Sequence, residues 1–307
     1  MYWLELTVKV HPEAVESVSE LMSNYSTEGL VIEEPYELTD DGQDYRILHG
    51  QPVTVHAYLP IDGTHEEKRQ KIENGLWHLS SLGAHFVGEM QTRSVNEEDW
   101  ANAWKEYYHV THIGERLVIR PSWREYTPKG QEVVLTLDPG MAFGTGVHPT
   151  TRLCLGRIEQ LVQPGMKVLD VGTGSGILAL AAAKLGAQNV YAIDNSSVAV
   201  ESALSNVALN NLEKQIQVVL GVLDDTEARH MAGQYNLVVA NIIAHIIGPI
   251  APQLAMTLAD NGLLVVSGII EARRADAEGP LLAAGLELVQ ESKVDDWLAL
   301  TYRSFNP

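Results

Sequence analysis

Residues 168–179 read VLDVGTGSGILA, and no other run in the chain narrows its fold as far. A short apolar stretch enters a turn with glycine at every second position, Gly172, Gly174 and Gly176. It leaves in an alanine-rich segment, Ile177 to Leu185, that reads as a helix. Glycine adopts conformations that a Cβ forbids and lets the backbone pass close beneath a ligand. The helix opening after the turn aims unpaired N–H groups at whatever sits there. Spacing then separates two ligand classes. A dinucleotide fingerprint needs G-x-G-x-x-G. Counted from Gly172, its last glycine falls on position 177, which is Ile177. Here an acid, Asp170, stands two residues before the first glycine instead.

A second acid adds to the pattern. The apolar run Asn189 to Ile193 ends in Asp194. A carboxylate at the tip of the second strand is placed to hold a ribose diol by paired O–H···O⁻ bonds. The plainer alternative is a solvated aspartate capping a helix that starts near Ser196. The Asp-x-Gly-x-Gly-x-Gly run resembles motif I of the S-adenosylmethionine (AdoMet) methyltransferases. AdoMet has no pyrophosphate to cradle but carries an ammonium, which suits Asp170.

Bulk properties exclude several classes. At 307 residues the chain has room for two domains. Its one cysteine, Cys154, rules out an internal disulfide framework and a cysteine-based zinc site, which fits a reducing cytosol. The N-terminus has no basic region followed by an apolar core, so no signal peptide is expected. The most apolar region, residues 237–256, contains Asn241, His245, Pro249 and Pro252 and reads as a buried strand followed by a helix, not as a membrane span. The formal net charge of −19 repels phosphate, so tight nucleic-acid binding is not expected, whereas a basic protein would be attracted. Plain solubility explains the same charge. A cytoplasmic, membrane-free protein is the expectation.

Along residues 1–95 the elements follow the order βαββαβ. Tyr2 to Val10 alternates as a strand, and Pro12 opens a helix to about Tyr25. Strands are expected over 29–34, 53–59 and 86–95, with a second helix over 66–82 and a polar stretch at Asp40 to Asp44. That order is ferredoxin-like. Residues 96–110 read as a connecting helix, with Trp100, Trp104 and Tyr107 on one stripe. From Gly114 the pattern changes. Strands over 116–119 and 132–137 precede the run DPGMAFGTGVHPTT, Asp138 to Thr151, and a helix to about Leu161. Strands at 167–171, 190–194, 216–221, 235–241 and 262–268 then alternate with helices, and paired strands close the chain near 286–292 and 297–303. Such alternation implies a mostly parallel sheet covered on both faces, with a ligand at the strand C-termini.

Three motifs stand in order: DPGMAFGTGVHPTT (138–151), DVGTGSGILA (170–179) and VANIIA (239–244). Together with the N-terminal pattern they resemble the PrmA family over essentially the whole chain. The first motif is the specific one. Ile243 departs from the leucine often found there. The resemblance implies methylation of amino groups on large-subunit ribosomal protein eleven, on lysine side chains and in some members the α-amine. It implies a Rossmann-like class I AdoMet methyltransferase domain over 111–307, a linker helix over 96–110 and a small ferredoxin-like α+β recognition domain over 1–95. Matched by motif, the AdoMet contacts fall on Thr151, Gly172, Asp194 and Asn241, with Phe143, Gly144 and Thr145 lining the same pocket. Asp170 and Gly174 join them from the glycine turn.

Methyl transfer from a sulfonium is an in-line displacement by a neutral amine, so positioning dominates. Asn241, at a strand end, offers an acceptor to the amine or a contact to AdoMet; a buried strand-end asparagine is the structural alternative. His148 precedes Pro149 at a helix start and reads as a cap or packing residue in preference to a general base. His245 is expected to pack on its helix. Methylation of another basic protein or a small molecule, and a non-catalytic AdoMet-binding regulator, remain the competing readings. Ile177 disfavours an NAD-dependent dehydrogenase.

Overall fold

The computed structural model describes residues 2–26, 30–33, 35–38, 45–48, 50–81, 87–96, 109–138, 146 and 148–304. The polar stretch at 40–44, the connecting segment at 97–108 and the site candidates Phe143, Gly144 and Thr145 lie outside them. The chain forms two compact units, Met1–His109 and Val110–Pro307.

In the first unit, strands β1 (Tyr2–Val10), β2 (Leu30–Glu33), β5 (Val53–Pro60) and β6 (Gln91–Asn96) form an antiparallel sheet in the order β2-β5-β1-β6. This is the ferredoxin-like arrangement, in which each helix crosses over a neighbouring strand. Alternation sets the two faces of β1. Leu6, Val8 and Val10 join Val55, Ala57 and Leu59 beneath helices α1 (Val15–Ser23) and α2 (His65–Ser81), where Val18, Met22, Ile72 and Leu76 complete the core. The helix expected from Pro12 begins as a 3-10 turn, Pro12–Ala14, capped by His11. Two short strands, β3 (Tyr36–Leu38) and β4 (Tyr45–Ile47), form a hairpin that no sequence pattern announced. The strand expected over 86–95 is displaced to Gln91–Asn96, and Val87 makes only an isolated bridge to Val10.

The sheet's second face carries a buried polar network. Glu5 is 4% exposed. It accepts hydrogen bonds from the Tyr58 hydroxyl (3.0 Å) and the Arg93 guanidinium (2.9 Å), and its Oε1 lies 3.6 Å from His56 Nδ1. His56 Nε2 faces Glu33 at 3.3 Å. The His56 bond, with Tyr58 and Arg93, holds the Glu5 carboxyl below the usual range despite burial. Burial pushes His56 down, but its bonds to Glu33 and Glu5 outweigh that and raise it.

The second unit starts with a three-stranded sheet, β7 (Thr111–Ile113), β8 (Leu117–Pro121) and β9 (Val133–Leu137), in which β8 and β9 run parallel. Helix α3 (Pro149–Leu161) leads to the main sheet. Its strands are β10 (Lys167–Val171), β11 (Asn189–Asp194), β12 (Ile216–Leu220), β13 (Tyr235–Asn241), β14 (Leu258–Ile270), β15 (Leu286–Val294) and β16 (Trp297–Ser304), in the order β12-β11-β10-β13-β14-β16-β15. The neighbours from β12 to β14 pair parallel. β16 pairs antiparallel with both β14 and β15, so it alone runs against the rest. Helices α4 (Ile177–Lys184), α5 (Ser197–Leu209), α6 (Asp225–His230), α7 (Ala244–Thr257) and α8 (Arg274–Ala283) connect the strands.

Helix α4 is buried from Ile177 to Ala183, and its small side chains explain how. A helix apolar all round must be covered all round, and alanines let α3, β9 and the main sheet approach together. It lies in a core with Leu135, Leu137, Leu155, Ile158 and Val168. A second core on the sheet's other face gathers Leu169 and Val171 with Ile247, Leu254 and Tyr302. Among the described residues, no helix is long and apolar enough to cross a membrane.

Candidate functional site

After β10 the chain turns back to build β11 and β12 on one side, then crosses to build β13 on the other. Ligands of open α/β sheets bind at such a switch point, outside the strand C-termini. Gly172, at the end of β10, and Asn241, at the end of β13, flank it.

The glycine turn needs its glycines. Gly172, Gly174 and Gly176 have φ of 74°, 56° and 83°, the left-handed region that side chains avoid. A Cβ on Gly172 would lie 2.4 Å from Ile242 Cγ2, and one on Gly176 would lie 3.2 Å from Ala203 Cβ. Bonds fix the turn from below. The amides of Gly172 and Thr173 both donate to the Ile193 carbonyl, at 2.8 and 3.2 Å. The Gly174 amide donates to Asp194 Oδ2 at 2.9 Å, while Asp194 Oδ1 accepts from the Ser196 amide at 2.9 Å. Ser196 itself caps α5 by accepting from Ala199. Asp194 therefore ties the tip of β11 to the glycine turn. It stays partly exposed, with lone pairs left for further donors.

Asp170 is fully buried. The Thr173 hydroxyl donates to its Oδ2 at 2.6 Å, and its Oδ1 has no partner. Burial pushes the carboxyl up to about 6; the Thr173 hydroxyl and the Ala179 amide oppose that, and the Asp194 charge adds to it. Asn241 shows the same want of a partner. Its Nδ2 lies 3.4 Å from Thr151 Oγ1, a weak contact, while Oδ1 is buried and unpaired. Thr151, in the first turn of α3, is itself fully buried. Buried acceptors without donors are rare, because each forfeits its hydration without return. Two of them, at the ends of adjacent strands β10 and β13, fit a ligand or substrate that brings N–H groups, and an ammonium suits the acid.

Ile242 follows Asn241 and wedges between β10 and β14. Its amide donates to the Ser267 carbonyl at 3.1 Å, and its own carbonyl would meet a Cβ on Gly268 at 2.4 Å. His148 caps α3: Nδ1 accepts from the Thr150 amide at 3.4 Å and lies 2.8 Å from the Thr150 hydroxyl. Its ring packs edge-on against Trp297, centroids 4.8 Å apart. Burial pushes it down to about 4, so it is neutral at physiological pH. His245, by contrast, is exposed and does not pack as its spacing suggested.

Two residues at the site escaped the sequence reading. Asn206, on the buried side of α5, and Asn210, its C-cap, bond to Ser175, Asp138 and Thr136. Their signal was faint: two asparagines four apart, on the stripe that also carries Ala203 and Val207.

Residues 2–304 match the family described as ribosomal protein L11 methyltransferase (PrmA). The chain is 45% identical to the ribosomal protein L11 methyltransferase of Chloroflexus aurantiacus over 98% of each chain, and 42% identical to that of Herpetosiphon aurantiacus over 99% of each. A solved ribosomal protein L11 methylase from Lactobacillus delbrueckii subsp. bulgaricus superposes with a TM-score of 0.58 at 35% identity, over all of that chain and 65% of this one.

Proposed function

Since the chain belongs to the ribosomal protein L11 methyltransferase (PrmA) family, we propose that it transfers methyl groups from AdoMet to amino groups of ribosomal protein L11, chiefly lysine side-chain amines. The observation that carries this reading is the pair of unpaired buried acceptors, Asp170 Oδ1 and Asn241 Oδ1, on either side of the switch point.

Bound there, AdoMet supplies an electrophilic methyl on a sulfonium. Gly172 and Gly174 give it close backbone approach. Asp170 takes the ammonium of its methionine end, and Asp194 takes the ribose hydroxyls. Thr151 and Asn241 close the pocket from α3 and β13. Phe143, Gly144 and Thr145 join them on the strength of the family motif. The attacking amine must be neutral, although a free lysine has a pKa of about 10.4. Entry into a water-poor pocket disfavours the charged form. Asn241 Oδ1 then accepts one N–H and turns the nitrogen lone pair toward the methyl. No strong base is required, and neutral His148 serves as a cap.

The ferredoxin-like residues 1–95 present the substrate, residues 96–110 link, and residues 111–307 hold the chemistry. The net charge of −19 suits a basic substrate in the cytosol. Incubation with AdoMet and L11 purified from a strain lacking this gene tests the reading by intact mass. Gains in steps of one methylene are expected. No gain, with donor binding shown separately, discards the substrate.

A further inference from the structure

Helix α5 backs the glycine turn with one stripe, and the middle of that stripe is polar. Ala203 closes on Gly176, where an added Cβ would also meet the Ala203 Cα at 3.3 Å. One turn on, Asn206 is fully buried. Its Nδ2 donates to the Ser175 carbonyl at 2.9 Å, and its Oδ1 accepts from the Asp138 amide at 2.8 Å. A flipped carboxamide would set donor against donor and acceptor against acceptor, so one orientation alone satisfies both ends. Asn210 repeats the device. Its side chain accepts from the Thr136 amide at 3.0 Å and donates to the Thr136 carbonyl at 2.6 Å, as a neighbouring strand would. Three bonds from two side chains thus join α5 and its C-cap to the segment Thr136 to Asp138, which leads into the family-specific motif, and a fourth, from Asn206, grips the glycine turn.

We propose that Asn206 is a positioning residue for the methyl donor: it fixes the glycine turn and the start of the Asp138–Thr151 motif in one register, so that both present the donor together. Asn206 touches no reacting atom and acts through Ser175 and Asp138. This rests on the reading that AdoMet sits on the glycine turn.

The test uses Asn206→Asp in the full chain, with S-adenosylhomocysteine as probe and calorimetric affinity from about pH 5 to about pH 8. Aspartate keeps the acceptor for Asp138 but sets a carboxylate against the Ser175 carbonyl. Protonation restores an O–H donor. Asp170 and Asp194 also bear charge on this turn, and Asp138 lies at its edge, so the quantity read is the variant-to-wild-type affinity ratio at each pH. Affinity about tenfold below wild type near pH 8, the loss of one buried charge-opposed hydrogen bond, with the ratio recovering as pH falls, is the expected result. Asn206→Ala should be weakened with a ratio flat in pH. A ratio near one throughout, or a loss in Asn206→Asp that does not recover, overturns the proposal. Absence of binding by the wild type refutes the donor reading itself and is thereby distinguished. Should Asn206→Asp fail to fold, hydrogen exchange in the wild type decides. S-adenosylhomocysteine should slow exchange of the Asp138 amide, and an unchanged rate overturns the coupling.

Discussion

Replacing Asp170 by asparagine should make the free protein more stable and the donor complex weaker. The ionised carboxyl is buried with one oxygen unpaired, and the rise from 3.8 to about 6 corresponds to about 3 kcal/mol against the charged form. The sign follows from linkage. The folded pKa lies above the unfolded one, so stability is lost as pH rises from 3.8 through about 6 and the full penalty stands above that. Asparagine removes the charge but still leaves one atom without a partner, at about 1 kcal/mol or more. A net gain of about 1–2 kcal/mol near pH 8 is therefore expected in denaturant unfolding of the free variant, vanishing near pH 4. Binding moves the opposite way. An ammonium against Oδ1 favours the ionised acid, so wild-type affinity for S-adenosylhomocysteine should fall below about pH 6, by up to tenfold for each further pH unit. The variant should bind at least tenfold more weakly at pH 8 and show no such fall. Titration calorimetry in two buffers of different ionisation enthalpy would count about half a proton released near pH 6. Wild-type affinity that is level through pH 6, with a free variant no more stable than wild type, would refute the reasoning.

Asn241→Ala should lower turnover at saturating AdoMet by about a hundredfold or more while shifting unfolding by no more than about 1 kcal/mol; near-normal turnover removes Asn241 from the mechanism. His148, pushed down to about 4 by burial, should show constant ring NMR shifts from about pH 5 upward, and an inflection near its ordinary 6.5 would contradict the geometry. In the first unit, raised His56 contributes stability that is full below 6.5 and lost as pH rises through its folded value. Lowered Glu5 contributes above 4.5 and is lost in acid. Unfolding followed by Trp3 or Tyr58 signals should thus be most resistant between those values, and His56→Gln should erase the alkaline decline; an unchanged decline in that variant would assign it elsewhere.

The central strands and the glycine turn were legible because their signals are local. Short apolar runs, residues 168–169 leading into the glycine turn, 190–193 and 237–240, mark β10, β11 and β13 directly, and Gly172 to Gly176 need no tertiary information to read. Strand β6 was not legible in place. Its sequence QTRSVN buries only Val95, so pairing with β1 decides it, and the apolar residues just before drew the expected strand upstream. Strands β3, β4 and β7 are three residues long, too short to show a period. Asp170 and Asn241 were found from their motifs, but the unpaired state of their oxygens depends on what packs around them. Asn206 and Asn210 look like ordinary solvent-facing helix residues until Thr136 and Asp138, some seventy positions earlier, come into contact with them.

Ile242 makes two glycines unequal. Gly172 is barred from a side chain by the Cγ2 methyl of Ile242, whereas Gly268 is barred by the Ile242 backbone, its carbonyl oxygen 2.4 Å away and its carbonyl carbon 2.7 Å. Trimming position 242 to alanine makes room at 172 and none at 268. In the free protein an alanine at 172 then faces only the left-handed strain, about 1–2 kcal/mol, so a path to a folded variant at 172 leads through 242, while its Cβ still stands in the way of the donor's approach. The same path is closed at 268, whose tolerance no side-chain change at 242 can alter. A side chain at 172 should accordingly be tolerated only together with a smaller residue at 242, whereas 268 should stay glycine whatever side chain stands at 242.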